Sequence, residues 1–353
     1  MWRPCPSLAR ACEDLSMIRS NRTGVVVIGR NEGDRLRICL LSATSDCARV
    51  VYADSGSTDG SVALAESLGV PVVRLTPPGL TAAKGRQAGF SRLLELYPDV
   101  EFVQFVDGDC EIVQGWLAQA EAFLIDHSDV AVVSGRRRER NPHASVYNRL
   151  SDLDWARSNG DTDSCGGDAM MRVGVVREIG GYNPALIAGE DPEICFRILD
   201  AGHRIFRLER DMTLHDAAMY RLSQWWQRTR RTGWAYAAVA ELHGASRRTS
   251  RQRVIKTVCW GAGVPVLSSL AGAGLLIFAP WWTGLGMLLL PLVLYGLLGV
   301  RVFAWRKRCG DDVRFALTYS FFCVLGKPAE AMGMIGFMSD RLTGKGPRLI
   351  EYK

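Results

Sequence analysis

Two aspartates, Asp107 and Asp109, flank a glycine directly after the apolar run 103–106. Such a run is typical of a buried strand, and open α/β sheets bind ligands at the carboxyl ends of their strands. Carboxylate oxygens on a rigid strand suit Mg²⁺ or Mn²⁺, which keep coordination positions open for nucleotide phosphates. The pattern predicts a divalent-metal site, although an acidic turn after a strand would have the same short sequence.

The elements around this pair alternate between strands and helices. Four apolar runs lie at 25–28, 49–53, 70–75 and 103–106, and a loop with a helical pattern follows each of the first two. In the intervening loops, Asp54 and Asp59 supply acceptors for ring N–H or ribose hydroxyl groups, and Lys84 and Arg86 supply cations for a pyrophosphate. This alternation predicts an α/β fold with a doubly wound, mostly parallel sheet.

The motifs and their order resemble glycosyltransferase family 2, the nucleotide-sugar transferases of the GT-A fold. The resemblance extends from Val25 to Trp234. Its motifs are Asn31-Glu32, Asp54 with Asp59-Gly60, Arg86-Gln87-Ala88-Gly89, Asp107 with Asp109, Gly166-Gly167, Gly180-Gly181-Tyr182 and Gly189-Glu190-Asp191. Gly29 and Gln87 stand where family members commonly have proline and asparagine. The resemblance implies a GT-A domain that transfers a sugar from a nucleotide.

The resemblance also implies roles for individual residues. Asp191 is expected to be the catalytic base of a single inverting displacement, oriented by Glu190. The same acids, followed by Pro192, are typical of a helix start, and the two roles are compatible. Asp109 and Asp107 are the expected metal ligands, with His215 either a third ligand or a packing residue.

The remaining contacts implied by the resemblance fall into two sets. Those with the nucleotide sugar are Asn31, Glu32, Asp54, Ser55, Asp59, Lys84, Arg86, Asp107, Gly108, Arg228 and Arg231. Those with the acceptor are Trp155, Gly166, Gly167, Asp168 and Trp234. The segment 227–231 only partly matches the element found in polymer-forming members, which favours the addition of a single sugar. We predict that the basic cluster 136–140 is a solvated charge run.

The composition changes abruptly near residue 256. No charged residue occurs from Thr257 to Val300, a length that fits two membrane helices, at about 257–279 and 281–302. A third apolar stretch, 313–338, contains Lys327, Pro328 and Glu330, so we predict a re-entrant or interfacial pair of short helices there.

The flanking charges predict the orientation of this module. Basic residues precede the first span and follow the second, whereas the turn between them has none, so both ends are expected in the cytoplasm. We predict a poorly ordered extension at 1–22, a cytoplasmic GT-A domain at 23–245 and a C-terminal α-helical membrane module at 246–353. The predicted location is the bacterial inner membrane, with a multi-pass topology.

Charge and cysteine content limit the partners. The net charge of +6 is concentrated near the predicted bilayer surface, which favours inner-membrane lipids over nucleic acid as the partner. The ten cysteines show no Cys-x-x-Cys spacing, so neither zinc nor a disulfide framework is expected. The sequence does not indicate an oligomeric state.

These observations predict an inverting glycosyltransferase that depends on Mg²⁺ or Mn²⁺. It would move one sugar from a nucleotide donor, with UDP favoured over GDP, to a lipid-linked or membrane-proximal acceptor in envelope or exopolysaccharide synthesis. One alternative is a processive polysaccharide synthase, which product length would distinguish. Another is a non-catalytic sugar-binding scaffold, against which the intact set of Asp59, Asp109 and Asp191 argues.

Overall fold

We describe the protein from a computed structural model, which covers residues 21–77, 80–156, 158–243 and 248–344, without the side chains of 248–251. The predicted N-terminal extension lies outside these residues apart from positions 21 and 22. The chain divides into two compact units, Met1–Tyr220 and Arg221–Lys353. This division precedes the boundary that we predicted at 245.

The first unit combines strands and helices in the predicted alternation. Its strands are β1 Thr23–Gly29, β2 Val50–Asp54, β3 Val72–Arg74, β4 Phe102–Asp107, β5 Cys110–Ile112, β6 Val130–Glu139, β7 Gly160–Asp161, β8 Ala169–Arg172 and β9 Arg204–His215. Its helices are α1 Asp34–Asp46, α2 Ser61–Ser67, α3 Ala82–Leu96, α4 Trp116–Asp126, α5 Val146–Trp155, α6 Val173–Glu178 and α7 Glu190–Asp200.

The strands form one mixed sheet in the order β3-β2-β1-β4-β8-β6-β9-β5, with β7 beside β9. Strands β3, β2, β1 and β4 are parallel, and β8 enters antiparallel between β4 and β6. The predicted α/β, mostly parallel fold is thus confirmed. Alternate residues of the buried strands face two separate apolar clusters, one on each side of the sheet, because both faces are covered by helices.

The carboxyl ends of the parallel strands meet at one edge. Ile28 of β1 is opposite Asp107 of β4, and Gly29 is opposite Asp54 of β2. The loops after β1, β2 and β4 therefore emerge side by side. This register brings the predicted metal motif next to the predicted nucleotide loops.

Strands β6 and β9 run parallel for most of their length and place charged side chains in register. Arg137 lies opposite Thr213, and Glu139 lies opposite His215. Side chains alternate in a strand, so Arg136 and Arg138 are exposed whereas Glu139 is buried. The prediction of a solvated charge run was therefore wrong for Arg137 and Glu139.

The second unit is entirely helical in its described part. Its helices are α8 Leu222–His243, α9 Arg248–Val258, α10 Val264–Phe278, α11 Trp281–Arg308 and α12 Val313–Thr343, with a π-helical turn at Cys259–Gly263. Helix α8 packs along α12, which explains why the division between the units precedes α8 rather than the composition change.

Three helical segments are long and apolar enough to cross a membrane: Gln252–Phe278, Trp281–Arg308 and Val313–Thr343. The first two agree with the predicted spans. The predicted pair of short helices at 313–338 was wrong, because α12 continues through Pro328 without a break. Close packing of Gly233 and Gly261 against the backbone on either side of Pro328 supports both halves of the helix.

Candidate functional site

Arg86 is the centre of the site. It lies on α3, which begins after Thr81 caps the helix by accepting a hydrogen bond from the Lys84 N–H. The guanidinium is 2% exposed and donates to Asp107 at 2.7 Å and to Glu190 at 2.8 Å. Arg86 therefore joins the end of β4 to the start of α7, and its predicted contact with the nucleotide sugar stays a prediction.

Asp191 occupies the first turn of α7, which begins where the sequence predicts a helix start. Its Oδ1 is buried, lies 3.4 Å from Arg86 Nη1 and has no hydrogen-bond partner among the described residues. Burial raises the pKa of Asp191 to about 7, with Arg86 opposing the shift and the charge of Glu190 adding to it. A carboxylate with such a pKa is suited to accept a proton near neutral pH.

Asp107 has the opposite electrostatic environment. It accepts hydrogen bonds from Arg86 at 2.7 Å and from Arg137 at 3.0 Å. Burial alone would raise its pKa, but these two guanidinium groups hold the pKa of Asp107 well below its usual range. One carboxylate is thus permanently charged while Asp191 can exchange a proton, which is how environments separate acid–base roles.

Asp109 and His215 form the candidate metal centre. His215 Nε2 lies 3.2 Å from Asp109 Oδ2, and His215 Nδ1 lies 3.4 Å from Glu139 Oε2. Burial lowers the pKa of His215, which favours the neutral imidazole. In the tautomer that donates Nδ1–H to Glu139, the Nε2 lone pair is directed to Asp109. Two acceptors facing each other at this distance are stabilised by a cation.

The donor set fits Mg²⁺ or Mn²⁺. Carboxylate oxygen with a single imidazole nitrogen is a hard donor set, and a carboxylate behind the imidazole is the usual support of a histidine ligand. Asp109, His215 and Cys110 are near enough to share one ion. Burial raises the pKa of Cys110, so this thiol stays protonated and leaves the ligand role to Asp109 and His215.

Glu139→Gln is expected to weaken Mn²⁺ binding by about 10–100-fold, because the amide no longer fixes the imidazole tautomer. Calorimetric titration of the purified protein with Mn²⁺ measures this. Glu178→Gln, at an exposed carboxylate outside the site, is the matched control. Equal Mn²⁺ affinity in the two variants would contradict this role of Glu139.

A second buried network supports Asp107 from behind. Asp168 accepts hydrogen bonds from Arg137 Nε at 2.9 Å, from Thr213 at 2.7 Å and from the Asp107 N–H at 3.0 Å. Its side chain is fully buried, and its predicted contact with an acceptor stays a prediction. Arg137 was missed by the sequence prediction, and the two-residue alternation of a strand was the signal that could have revealed it.

The predicted nucleotide loops are tied to each other. Asn31, with a positive φ of 55°, accepts from the Thr58 N–H at 2.7 Å, and Asp59 accepts from the Gly33 N–H at 3.0 Å. Asp54 accepts from the Tyr52 hydroxyl at 2.9 Å and from two backbone N–H groups. These carboxylates shape the loops, and their direct contacts with a base or ribose stay predictions.

The other predicted nucleotide contacts line the same edge. Glu32 pairs with Arg35 at 2.9 Å, and the Gly108 N–H donates to Ile28 O at 2.7 Å. Ser55 is buried, and Lys84 is half-buried at the start of α3. A Cβ at Gly108 would lie 3.0 Å from Ile28 O, so this position allows the loop after β4 to lie close against β1.

Two predicted acceptor positions lie beside the carboxylates. The Trp155 ring stands edge-on to His215, with centroids 4.6 Å apart, and the Arg137 guanidinium lies 5.5 Å from its centroid. A Cβ at Gly167 would meet Arg86 Nη2 at 2.5 Å, so only glycine fits there. Gly166, with a φ of 78°, turns the chain into this position.

The predicted residues on α8 belong to the second unit. Trp234 is buried against Phe337, with ring centroids 5.2 Å apart, and Arg228 and Arg231 are half-buried. Their contacts with donor or acceptor stay predictions. The structure brings together, within the first unit, Arg86, Asp107, Asp109, Trp155, Gly167, Asp168, Glu190, Asp191 and His215.

The sequence model of glycosyl transferase family 2 matches residues 24–180. This segment is a glycosyltransferase family 2 domain. Apart from Thr23, strands β1 to β8 lie within it, and so do Asp107 and Asp109. Helix α7 and β9, which supply Asp191 and His215, follow the matched segment.

Relatives of this glycosyltransferase family 2 domain include the pre-mycofactocin glycosyltransferase of Mycobacterium tuberculosis, 28% identical over 154 residues. That match covers 40% of this chain and 32% of the relative, so the chain spans about a third of the length of the curated relatives that it matches.

Two solved structures share the GT-A fold over nearly the whole chain. The mannosyltransferase PcManGT from Pyrobaculum calidifontis, in complex with GDP-Man and Mn²⁺, has a TM-score of 0.57 and 16% identity, covering 95% of this chain and 94% of that one. TarS of S. aureus has a TM-score of 0.50 and 15% identity, covering 93% of each chain. At these identities the likeness shows the fold.

Proposed function

We propose that the protein is an inverting glycosyltransferase that moves one sugar from a nucleotide-sugar donor to a lipid-linked or membrane-proximal acceptor, in envelope or exopolysaccharide glycan synthesis. The observation that carries the proposal is the Arg86 cluster. It sets a carboxylate of raised pKa, Asp191, beside the charged Asp107. A base held beside the end of β4, which leads into the candidate metal centre, suits a single inverting displacement.

In the proposed reaction the acceptor oxygen attacks the anomeric carbon as its proton passes to Asp191. The new carbon–oxygen bond forms as the bond to the nucleoside diphosphate breaks, and the diphosphate leaves with the bonding pair. Arg86 and Glu190 orient Asp191 toward the acceptor. Asp109 and His215 would hold a divalent ion, with Asp107 beside them, and this ion would supply Lewis-acid stabilisation to the leaving diphosphate.

Turnover is expected to rise with pH through about 7, the folded-state pKa of Asp191, because only the ionised carboxylate accepts a proton. Below that pH, kcat/KM should fall about tenfold per pH unit. The measurement is kcat/KM between pH 5 and pH 9 at saturating Mn²⁺. A flat profile over this range would contradict a base of that pKa.

The proposed function is tested by nucleotide release from UDP-, GDP- and dTDP-sugars by the detergent-purified protein, with Mg²⁺ or Mn²⁺ and with EDTA. Metal-dependent release from one donor is the expected result, and it would identify the nucleotide and the sugar. The PcManGT complex contains GDP-Man, so GDP-mannose is tested first beside UDP-sugars. Absence of both release and binding for every donor would contradict the proposal.

We also propose that α10 and α11 anchor the protein in the bacterial inner membrane, with residues before the first span in the cytoplasm. The segment Gln252–Phe278, which ends with α10, and helix α11 each satisfy the length and apolarity of a span. Arg306, Lys307 and Arg308 end α11, as expected for a cytoplasmic end. Membrane attachment would keep the enzyme beside an acceptor that is embedded in the same bilayer.

A further inference from the structure

Helix α12 is long and apolar enough for a third span. Its contacts with α10, α11 and the segment before α10 show, however, that it does not run parallel to them. Helices α10 and α11 form an antiparallel hairpin in which Gly272 lies against Leu288 and Gly284 lies against Leu276. The turn between Phe278 and Trp281 is the closed end of the hairpin. Farther from this turn, the Tyr295 hydroxyl donates to Trp260 O and holds the two legs together. The two legs of the hairpin therefore run in opposite directions.

Helix α12 touches both legs in the region of this hydrogen bond. On the second leg, Tyr319 packs on Trp305, with ring centroids 6.2 Å apart, and Val324 lies near Gly299. Along α12 these contacts move toward the closed end of the hairpin.

On the first leg, the contacts move away from the closed end of the hairpin along α12. The Lys327 carbonyl lies against Gly261, Glu330 accepts from Thr257 at 3.3 Å, and Phe337 lines a cavity with Val254.

A helix lying parallel to the hairpin could not approach its closed end along one leg and recede from it along the other. Tyr319 and Phe337 are eighteen residues apart, or about 27 Å along α12. The legs must therefore splay apart below Trp260 and Tyr295, and α12 crosses the opening between them.

Charged residues on α8, which packs along α12, also indicate that α12 does not cross the bilayer. Helix α8 runs beside α12 from the Trp225–Phe322 ring contact to the Glu241–Arg341 ion pair at 2.7 Å. If α12 crossed the bilayer, α8 would enter it too and would carry three arginines and a glutamate. Arginine and glutamate are costly at membrane depth. Those residues are Arg228, Arg230, Arg231 and Glu241.

The side of α12 that faces away from α8 is apolar along its whole length. At about 100° per residue, its most exposed residues share one side of the helix. They are Leu317, Phe321, Met332, Ile335 and Leu342, each between 48% and 82% exposed. Such an amphipathic helix inserts in the plane of a membrane surface.

We infer that α12 lies in the plane of the membrane surface, on the side where α9 and the end of α11 emerge, and does not cross the bilayer. Its apolar stripe enters the acyl boundary while α8 and the Lys327–Glu330 ion pair lie on the aqueous side. The protein then has two spans and an in-plane helix. Gly344, which follows α12, is then on the same side of the membrane as Cys309.

The test uses spin labels at Leu317, Met332 and Leu342, each replaced singly by cysteine in a chain whose native cysteines are changed to serine or alanine. The protein is reconstituted in vesicles of phosphatidylethanolamine and phosphatidylglycerol. Accessibility to oxygen and to a nickel chelate reports depth. An in-plane helix gives the same shallow depth at all three sites, and a span gives the greatest depth at Met332. Labels shielded from both reagents, with concentration-dependent broadening, would overturn the inference in favour of a second copy of this chain.

A second measurement leaves the native cysteines in place. Green fluorescent protein and alkaline phosphatase are fused in turn after Lys353, with fusions after Pro280 as the opposite-side control. Fluorescence without phosphatase activity at Lys353, and the reverse at Pro280, is the expected result. Phosphatase activity at Lys353 would overturn the inference. Neither measurement depends on catalysis, so failure here is distinguishable from failure of the proposed function.

Discussion

Asp191→Asn is expected to lower kcat of sugar transfer by about 10²–10⁴-fold, the usual contribution of a general base. The amide keeps the shape of the side chain but cannot accept the proton of an acceptor hydroxyl. Mn²⁺ and nucleotide affinities should stay within about twofold of the parent, because Asp191 contacts Arg86 and not the candidate metal ligands. The measurements are single-turnover transfer and calorimetric binding of nucleoside diphosphate.

Stability should change in the opposite direction. The folded protein holds the pKa of Asp191 at about 7, above its ordinary value of 3.8, so the folded state binds a proton more tightly than the unfolded state. This residue therefore costs stability progressively as pH rises from the lower pKa to the higher one. Asp191→Asn should raise the thermal midpoint at pH 8, whereas Asp200→Asn, at the exposed end of α7, should not. An active Asp191→Asn protein would refute Asp191 as the base.

Arg86→Met is expected to destabilise the first unit by about 3–5 kcal/mol, because it leaves buried carboxylates without their counter-charge. Asp107 keeps Arg137, but Glu190 and Asp191 lose their cation. The measurement is the thermal midpoint in detergent. Arg92→Met is the matched control, since Arg92 lies on the same helix at 44% exposure and pairs with the exposed Glu95. Equal midpoints for the two variants would contradict the role of Arg86.

Arg86→Lys separates charge from geometry. Lysine keeps a positive charge but cannot form the planar fork that reaches two carboxylates at once. The protein should fold, and the pH at which turnover reaches half its plateau should shift upward, because Arg86 lowers the pKa of Asp191. A residue with only a structural role would leave this midpoint unchanged.

The sequence was most informative where burial is uniform. The strands ending at Asp54 and Asp107 were predictable because continuous apolar runs flanked by turn residues are typical of parallel strands covered on both faces. Arg137 and Glu139 were not predictable in the same way. Alternate residues of a charge run in a strand lie on opposite faces, and the sequence of the run does not show which face other elements cover. Their partners, Asp168 and His215, come from distant parts of the chain.

The helical unit shows a related limit. Composition identified α10 and α11, because lipid exposure demands long uncharged segments. It could not reveal that α12 continues through Pro328, since the support comes from Gly233 and Gly261 in other helices. Nor could it locate the boundary between the units, because the packing of α8 on α12 leaves no trace in the charge pattern of α8.

The packing of α8 also determines how the catalytic unit can be isolated. A fragment ending at residue 245 would keep α8 but lose α12, and would uncover the face that carries Trp225, Gly233 and Trp234. Exposed apolar patches of this kind drive self-association. A fragment ending at Tyr220 removes the helix together with its partner. Soluble preparations for crystallisation or ligand soaking should therefore end before α8 begins.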